Sequence, residues 1–305
     1  MSPADIALGF LVVVIWGVNF AVMKYCIEGI PPMLLGALRF ILVALPAIFF
    51  VRAPAVQLKF YVLYGLTLSF GQPALLYLAI KWGMPSGLAS LVLQSQAMFT
   101  LVFVSAWLKE PCRPTQWTGL ALAAVGMALI GGGHGVSMPL AGFILTALAA
   151  AMWAAGNVVT RILARHGAPV DPLGFVAWSS LVPIPPFLLL SYMFEGPAAI
   201  ASSLRAISWT SAAAVLFLSW AATLLGYAIW SRLLSRYRAG SVAPLSLLVP
   251  FIGLAVGWIA FGETLVPLHV YGGLTLVLGL SINFFGLPAA SLARLRHRRG
   301  LSRPE

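Results

Sequence analysis

The side chains able to do covalent or acid–base chemistry are few in this chain, and they are poorly placed for it. His134, His166, His269 and His297 all avoid the middle of the long apolar runs, and the only aspartates, Asp5 and Asp171, stand near run ends. No His-Glu-x-x-His zinc motif, no pair of aspartates within one run and no Walker loop for nucleotide phosphates is present. Cys26 and Cys112 fall at ends of runs that read to opposite membrane sides, which excludes a disulfide between them. The expectation is therefore no enzyme, no catalytic residues, no bound metal or cofactor, and no direct use of ATP.

What remains is recognition chemistry. Polar and aromatic residues recur at helical spacing inside the apolar runs. Ser219, Thr223, Tyr227 and Trp230 fall within about 80° of one face at about 100° per residue. Phe70, Ala74 and Tyr77 occupy comparable positions in an earlier run, as do Trp16 with Asn19 and Trp153 with Asn157. Ring faces attract an ammonium group, and Asn or Ser groups satisfy a carboxylate, so these faces suit a zwitterion with an apolar side chain. The same residues also serve as interface belts or as glue between helices. Gln94 and Gln96 stand about 200° apart, so one is expected at the cavity and the other against a neighbouring helix, with Gln94 favoured for the cavity. Arg39 lies about 10 Å into its run. It is either a ligand for an anionic group or a snorkelling cation paired with a helix end or with Glu28. Glu110 and Glu263 occupy equivalent run ends, where each reads as a partner for the N-terminus of the following helix. A proton-coupling role for Glu263 is the alternative. Pro73, after Gln72, and Pro244 and Pro250 are expected to kink or interrupt their helices.

Helices crossing a bilayer must position these groups. The 305 residues are 61% hydrophobic and 8% charged, with mean hydropathy +0.99, against roughly 25% charged in a soluble protein. Ten apolar runs are long enough to span: 6–26, 33–51, 60–80, 87–108, 115–132, 140–163, 172–194, 209–233, 242–261 and 268–288. Backbone in hydrocarbon must bond internally, so the runs are helices. The first run lacks a basic preceding region and is too long for a signal peptide. Fourteen Lys and Arg fall in the gaps after even-numbered runs and in the tail, against three in the other gaps. That bias places both termini in the cytoplasm and assigns the net charge of +11 to orientation and an anionic leaflet, not to nucleic acid.

An internal repeat is also present. Trp16 and Lys24 recur 137 residues on as Trp153 and Arg161. Gly87, Glu110, Gly119 and Gly126 recur 153 residues on as Gly240, Glu263, Gly272 and Gly279. The fold class expected is an all-α polytopic membrane protein of ten transmembrane helices in two inverted five-helix repeats. The first repeat covers 5–132, the second 139–288, and a basic tail covers 289–305. An odd number of helices per repeat makes the two halves insert in opposite directions, the arrangement of secondary transporters with a site between the halves. The glycines at intervals of seven read as close-packing positions for the fifth and tenth helices.

These residues carry a resemblance. Val14-Ile-Trp-Gly-Val-Asn-Phe20, Pro32-Met-Leu-Leu-Gly-Ala-Leu-Arg-Phe40, Gly83-Met-Pro-Ser-Gly-Leu-Ala-Ser-Leu-Val-Leu-Gln94 and Val242-Ala-Pro-Leu-Ser-Leu-Leu-Val-Pro250 stand in order, followed by Gly262-Glu263, Gly272 and Gly279. Together they resemble the EamA family of the drug/metabolite transporter superfamily, across almost the whole chain. Within it the chain is similar to exporters of cysteine and O-acetylserine and to YddG-type exporters of aromatic and other amino acids. The resemblance implies ten helices, two EamA repeats and a secondary transporter that exports amino acids and related small metabolites across the inner membrane by alternating access. Export of other metabolites or drugs, or a channel, is the alternative. The partners expected are a small-molecule substrate and the lipid bilayer; the sequence leaves substrate identity, energy coupling and oligomeric state open.

Overall fold

The computed structural model describes residues 1–135, 137–165, 170–237 and 239–285; the expected basic tail lies outside them. Among these residues ten helices are long and apolar enough to cross a membrane. They are α1 (Pro3–Gly29), α2 (Pro32–Phe50), α3 (Leu58–Lys81), α4 (Ser86–Leu108), α5 (Pro114–Gly132), α6 (Leu140–Arg165), α7 (Pro172–Glu195), α8 (Trp209–Arg236), α9 (Pro244–Phe261) and α10 (Pro267–Phe285). Six of them open with proline, whose missing N–H costs nothing in a first turn. Ser2 and Asp171 supply side-chain caps to the starts of α1 and α7.

The outer surface is oily. Phe50 is 88% exposed and Trp209 92% exposed, an arrangement that only lipid accommodates over so many residues. The ends of α2, α4, α6 and α8 and the starts of α3, α5, α7 and α9 carry or adjoin most of the Lys and Arg among the described residues, and are here called the basic face; the opposite ends of these helices define the opposite face.

Two helices, α5 and α10, pack most intimately. A Cβ on Gly126 would stand 2.5 Å from the Leu276 backbone nitrogen, and one on Gly279 would stand 2.6 Å from the Ala123 nitrogen. Only glycine permits that approach. Around the centre, α1 packs on α9, α9 on α4, and α6 on both α3 and α4.

Regular winding fails where the helices surround the centre. Residues Gly65–Gly71 of α3 and Phe217–Leu225 of α8 form π-helix, and Ala243–Leu248 form a 3₁₀ entry to α9. In α4 the α-winding stops after Leu93 and resumes at Gln96. Thus Pro73 follows a widened π turn, and Pro244 and Pro250 open the 3₁₀ and α segments of α9.

Candidate functional site

Trp16 and Asn19 on α1, Gln94 and Gln96 on α4, Trp153 on α6 and Tyr227 on α8 surround an inner chamber of about 110 Å³, room for several waters. Arg39 of α2 and Gln72 of α3 also reach it. An outer chamber of about 720 Å³ shares Trp16, Gln96, Trp153, Tyr227 and Ser246 with it and adds Asn157 and Trp230. Its further walls are Leu163 and Ala164 near the end of α6, Val170 and Pro172 at the start of α7, and Ser231 and Phe284. All of these belong to the basic-face ends of their helices, so the two chambers form one path from the bundle centre towards that face.

The aromatic rings stand where the chambers meet. Trp16 lies 5.7 Å from Tyr227 and 5.2 Å from Trp230, centroid to centroid. Its indole N–H donates to the Ala222 carbonyl at 3.0 Å, inside the π segment of α8. Asn157 donates to the Gln96 side-chain oxygen at 2.8 Å and to Thr100 at 3.1 Å. Gln94 donates to the Ser246 carbonyl at 2.7 Å. The interruption of α4 at Gln94 and Ser95 brings both glutamines to the chamber, whereas a regular helix would send them apart.

Three candidate positions stand behind the wall. The π winding of α8 breaks the spacing of about 100° per residue that would align Ser219 and Thr223 with Tyr227 and Trp230. Ser219 is fully buried and donates to the Val215 carbonyl at 2.8 Å. Thr223 donates to the Leu218 carbonyl and accepts from Arg39 Nε and Nη2 at 3.3 and 3.0 Å. Tyr77 is fully buried and accepts from Arg39 Nη1 at 3.0 Å. Arg39 thus bonds two hydroxyls rather than Glu28 or a helix end.

At the opposite face the path is closed. Glu263 accepts from Lys24 Nζ at 2.8 Å, from the Ser86 and Gly87 backbone N–H groups at 2.7 and 2.9 Å, and from the Ser86 hydroxyl at 2.9 Å. It therefore joins α1 to the start of α4, and the partner expected for it, the start of α10, is not the one it takes. Burial pushes its carboxyl up, but Lys24 and the two backbone donors outweigh this and hold it below the usual glutamate value. Close packing continues the closure inward: a Cβ on Gly87 would stand 2.9 Å from the Leu254 Cα. Glu110, at the basic face, binds Arg161 at 3.0 Å and also Arg165 instead of the start of α5. Arg161 and Arg165 hold its carboxyl below its usual value. Residues that correspond through the sequence repeat therefore pair crosswise, Lys24 with Glu263 and Arg161 with Glu110, on opposite faces.

Sequence reasoning did not place Gln72, Ser90 or Ser246 in the wall, and it favoured Gln94 over Gln96 where both line the chamber. Gln96 was findable only by anticipating the break in α4. No group of three or more His, Cys, Asp or Glu residues that could hold a metal occurs among the described residues.

A bundle of ten apolar helices around an aromatic, polar cavity defines a multi-pass membrane protein built to bind a small molecule. The EamA-like transporter family model matches residues 4–132 and 140–285, and the chain belongs to that family. It is thus a transporter and not an enzyme. It is 46% identical to a Salmonella typhimurium protein named "Probable amino-acid metabolite efflux pump", over 97% of this chain and 99% of the relative. An Escherichia coli protein of the same name is 44% identical over 94% and 97%. A solved crystal structure shares the fold, with TM-score 0.59 and 20% identity, covering 93% of this chain and 98% of that one.

Proposed function

We propose that this protein exports amino acids and related small metabolites across the inner membrane by alternating access, with both termini in the cytoplasm. The carrying observation is the path that runs from the bundle centre to the basic face, while the Lys24–Glu263 pair ties the helices together at the opposite face. The charge bias makes the basic face cytoplasmic, so this conformation is the one that loads from the cytoplasm, as an exporter must. The substrate class follows the names of the two relatives and the aromatic and amide lining.

The crosswise ion pairs support the mechanism. In two inverted repeats, exchanging the conformations of the halves turns one face's closure into the other's. Glu110 then takes the part of Glu263 and reaches the helix at 239–242, as Glu263 now reaches Ser86 and Gly87. The substrate-binding residues proposed are Trp16, Asn19, Gln94, Trp153, Asn157, Tyr227 and Trp230, with Tyr77, Ser219 and Thr223 behind them.

The test is uptake of labelled cysteine, threonine, methionine, phenylalanine and tryptophan by proteoliposomes containing the purified protein. Saturable uptake suppressed by unlabelled competitors is expected. No uptake of any of them by folded protein overturns the substrate class and turns attention to other metabolites or drugs.

A further inference from the structure

We infer that Arg39 is the anion site of the inner chamber and takes the carboxylate of the cargo, while Asn19 and the Trp16 and Tyr227 rings face its ammonium end. The inference deepens the proposed function and rests on it for the location of the site.

A guanidinium this far inside an apolar bundle is costly unless something neutralises it. Among the described residues nothing does. Among the described residues Arg39 has no acidic partner; it bonds Thr223 and Tyr77 and stands 5.8 Å from the Phe40 ring. The acids among the described residues lie at the faces: Asp5 beside Arg236, Glu110 with Arg161, Glu263 with Lys24, and Glu28 exposed near the end of α1. Asp171 caps the start of α7, and Glu195 binds the N–H groups of Met33 and Leu34 at the start of α2. The two hydroxyls orient the guanidinium without cancelling its charge. Thr223 gives its proton to the Leu218 carbonyl, so its lone pairs are free to hold Nε and Nη2. Of the five N–H groups of an arginine, those bonds use three, leaving one on each terminal nitrogen. Arg39 nevertheless lines the chamber.

The chamber offers the complementary end as well. Asn19 lines it, makes only a 3.9 Å contact with the Met23 sulfur, and leaves its Oδ1 buried without a partner. An ammonium group would satisfy that acceptor and lie against the electron-rich rings. One guanidinium neutralises one negative charge, which selects a carboxylate over a phosphate ester carrying nearly two.

The test measures the melting temperature of the full-length protein in lipid nanodiscs with four probes. These are L-cysteine, mercaptopropionate (no amine), cysteamine (no carboxylate) and inorganic phosphate. L-cysteine and mercaptopropionate are expected to stabilise the protein, and cysteamine and phosphate are not. Arg39→Gln is expected to raise the half-effective L-cysteine concentration by at least roughly tenfold, the loss of one charge-assisted hydrogen bond. Equal stabilisation by cysteamine and L-cysteine, a dominant response to phosphate, or no response to either carboxylate overturns the assignment. A response to mercaptopropionate with none to L-cysteine upholds the carboxylate site and removes the amino-acid reading. Because the probe series needs only the wild-type protein, it decides the matter even if Arg39→Gln does not fold.

Discussion

Replacing Glu263 by glutamine should open the opposite face. The carboxylate accepts four hydrogen bonds, one from Lys24, one from the Ser86 hydroxyl and two from backbone N–H groups. Oε1 accepts three of these bonds and Oε2 the one from Gly87; an amide that keeps its oxygen at the Oε1 position turns an NH₂ towards the Gly87 N–H, so that bond is lost and the other three lose their charge assistance. Hydrogen bonds to a charged group contribute about 1.5–3 kcal/mol each. Lys24 is 26% exposed and rehydrates in part, which reduces the loss to about 2–4 kcal/mol. The closed-to-open ratio should then fall by about 30- to 700-fold. Met23 lines the inner chamber, so Met23→Cys, in a background with Cys26→Ser and Cys112→Ser, reports access from the opposite face. A membrane-impermeant maleimide presented to that face should label the Glu263→Gln form at least about tenfold faster, allowing for incomplete opening. Equal rates in the two folded proteins would refute the assignment of Glu263 as the closure. The same assay has a definite pH dependence. The closed-state carboxyl lies below the ordinary value of 4.5, so its contribution to closure is fully present above about 4.5 and is lost as pH falls through the lowered value. Divided by the rate of a solvent-exposed control cysteine at each pH, which removes the change in thiolate fraction, labelling should be flat from about pH 8 to 5 and rise only in stronger acid. A rise near neutrality would instead mark Glu263 as a coupling group.

Two further perturbations probe the cavity and the packing. Tyr227→Ala and Trp230→Ala each remove a ring beside Trp16; both should lower amino-acid uptake by roughly tenfold, the worth of a desolvated cation–π contact, with membrane insertion unchanged. Unchanged uptake in both would take these rings out of the site. Gly126→Ala drives a methyl into the backbone of α10 and should destabilise by about 1–3 kcal/mol, while Gly29→Ala, whose added Cβ meets nothing within 4 Å at a helical position, should leave the melting temperature unchanged or slightly raised; equal melting temperatures would contradict the close packing of α5 on α10.

The number of spans is legible in the chain because each is a run of apolar residues long enough to cross hydrocarbon, broken by Pro, Gly and charge. The aromatic positions on α1, α6 and α8 are legible for a related reason: a polar or ring-bearing residue inside such a run is conspicuous. Local departures from regular winding are not legible. The π segment of α8 moves Ser219 and Thr223 behind the wall, and the break in α4 brings Gln96 into it, yet neither carries a distinctive residue pattern. The partner of Glu263 is also hidden, since Ser86 and Lys24 lie 177 and 239 residues away and helical periodicity says nothing about such pairs. The repeat offsets hold the hint: Lys24 answers to Arg161 and Glu110 to Glu263, but only the packed bundle reveals that the pairs form crosswise.

The central claim is a carrier that binds its cargo in one chamber and exposes it to the two faces in turn. Counterflow tests this most directly. Proteoliposomes are loaded with unlabelled cysteine and diluted into a trace of labelled cysteine. A carrier whose loaded form crosses between faces should accumulate label transiently above equilibrium, and Tyr227→Ala should diminish the overshoot. Uptake that rises in proportion to concentration, with no acceleration by internal cysteine, would contradict the account and describe a channel.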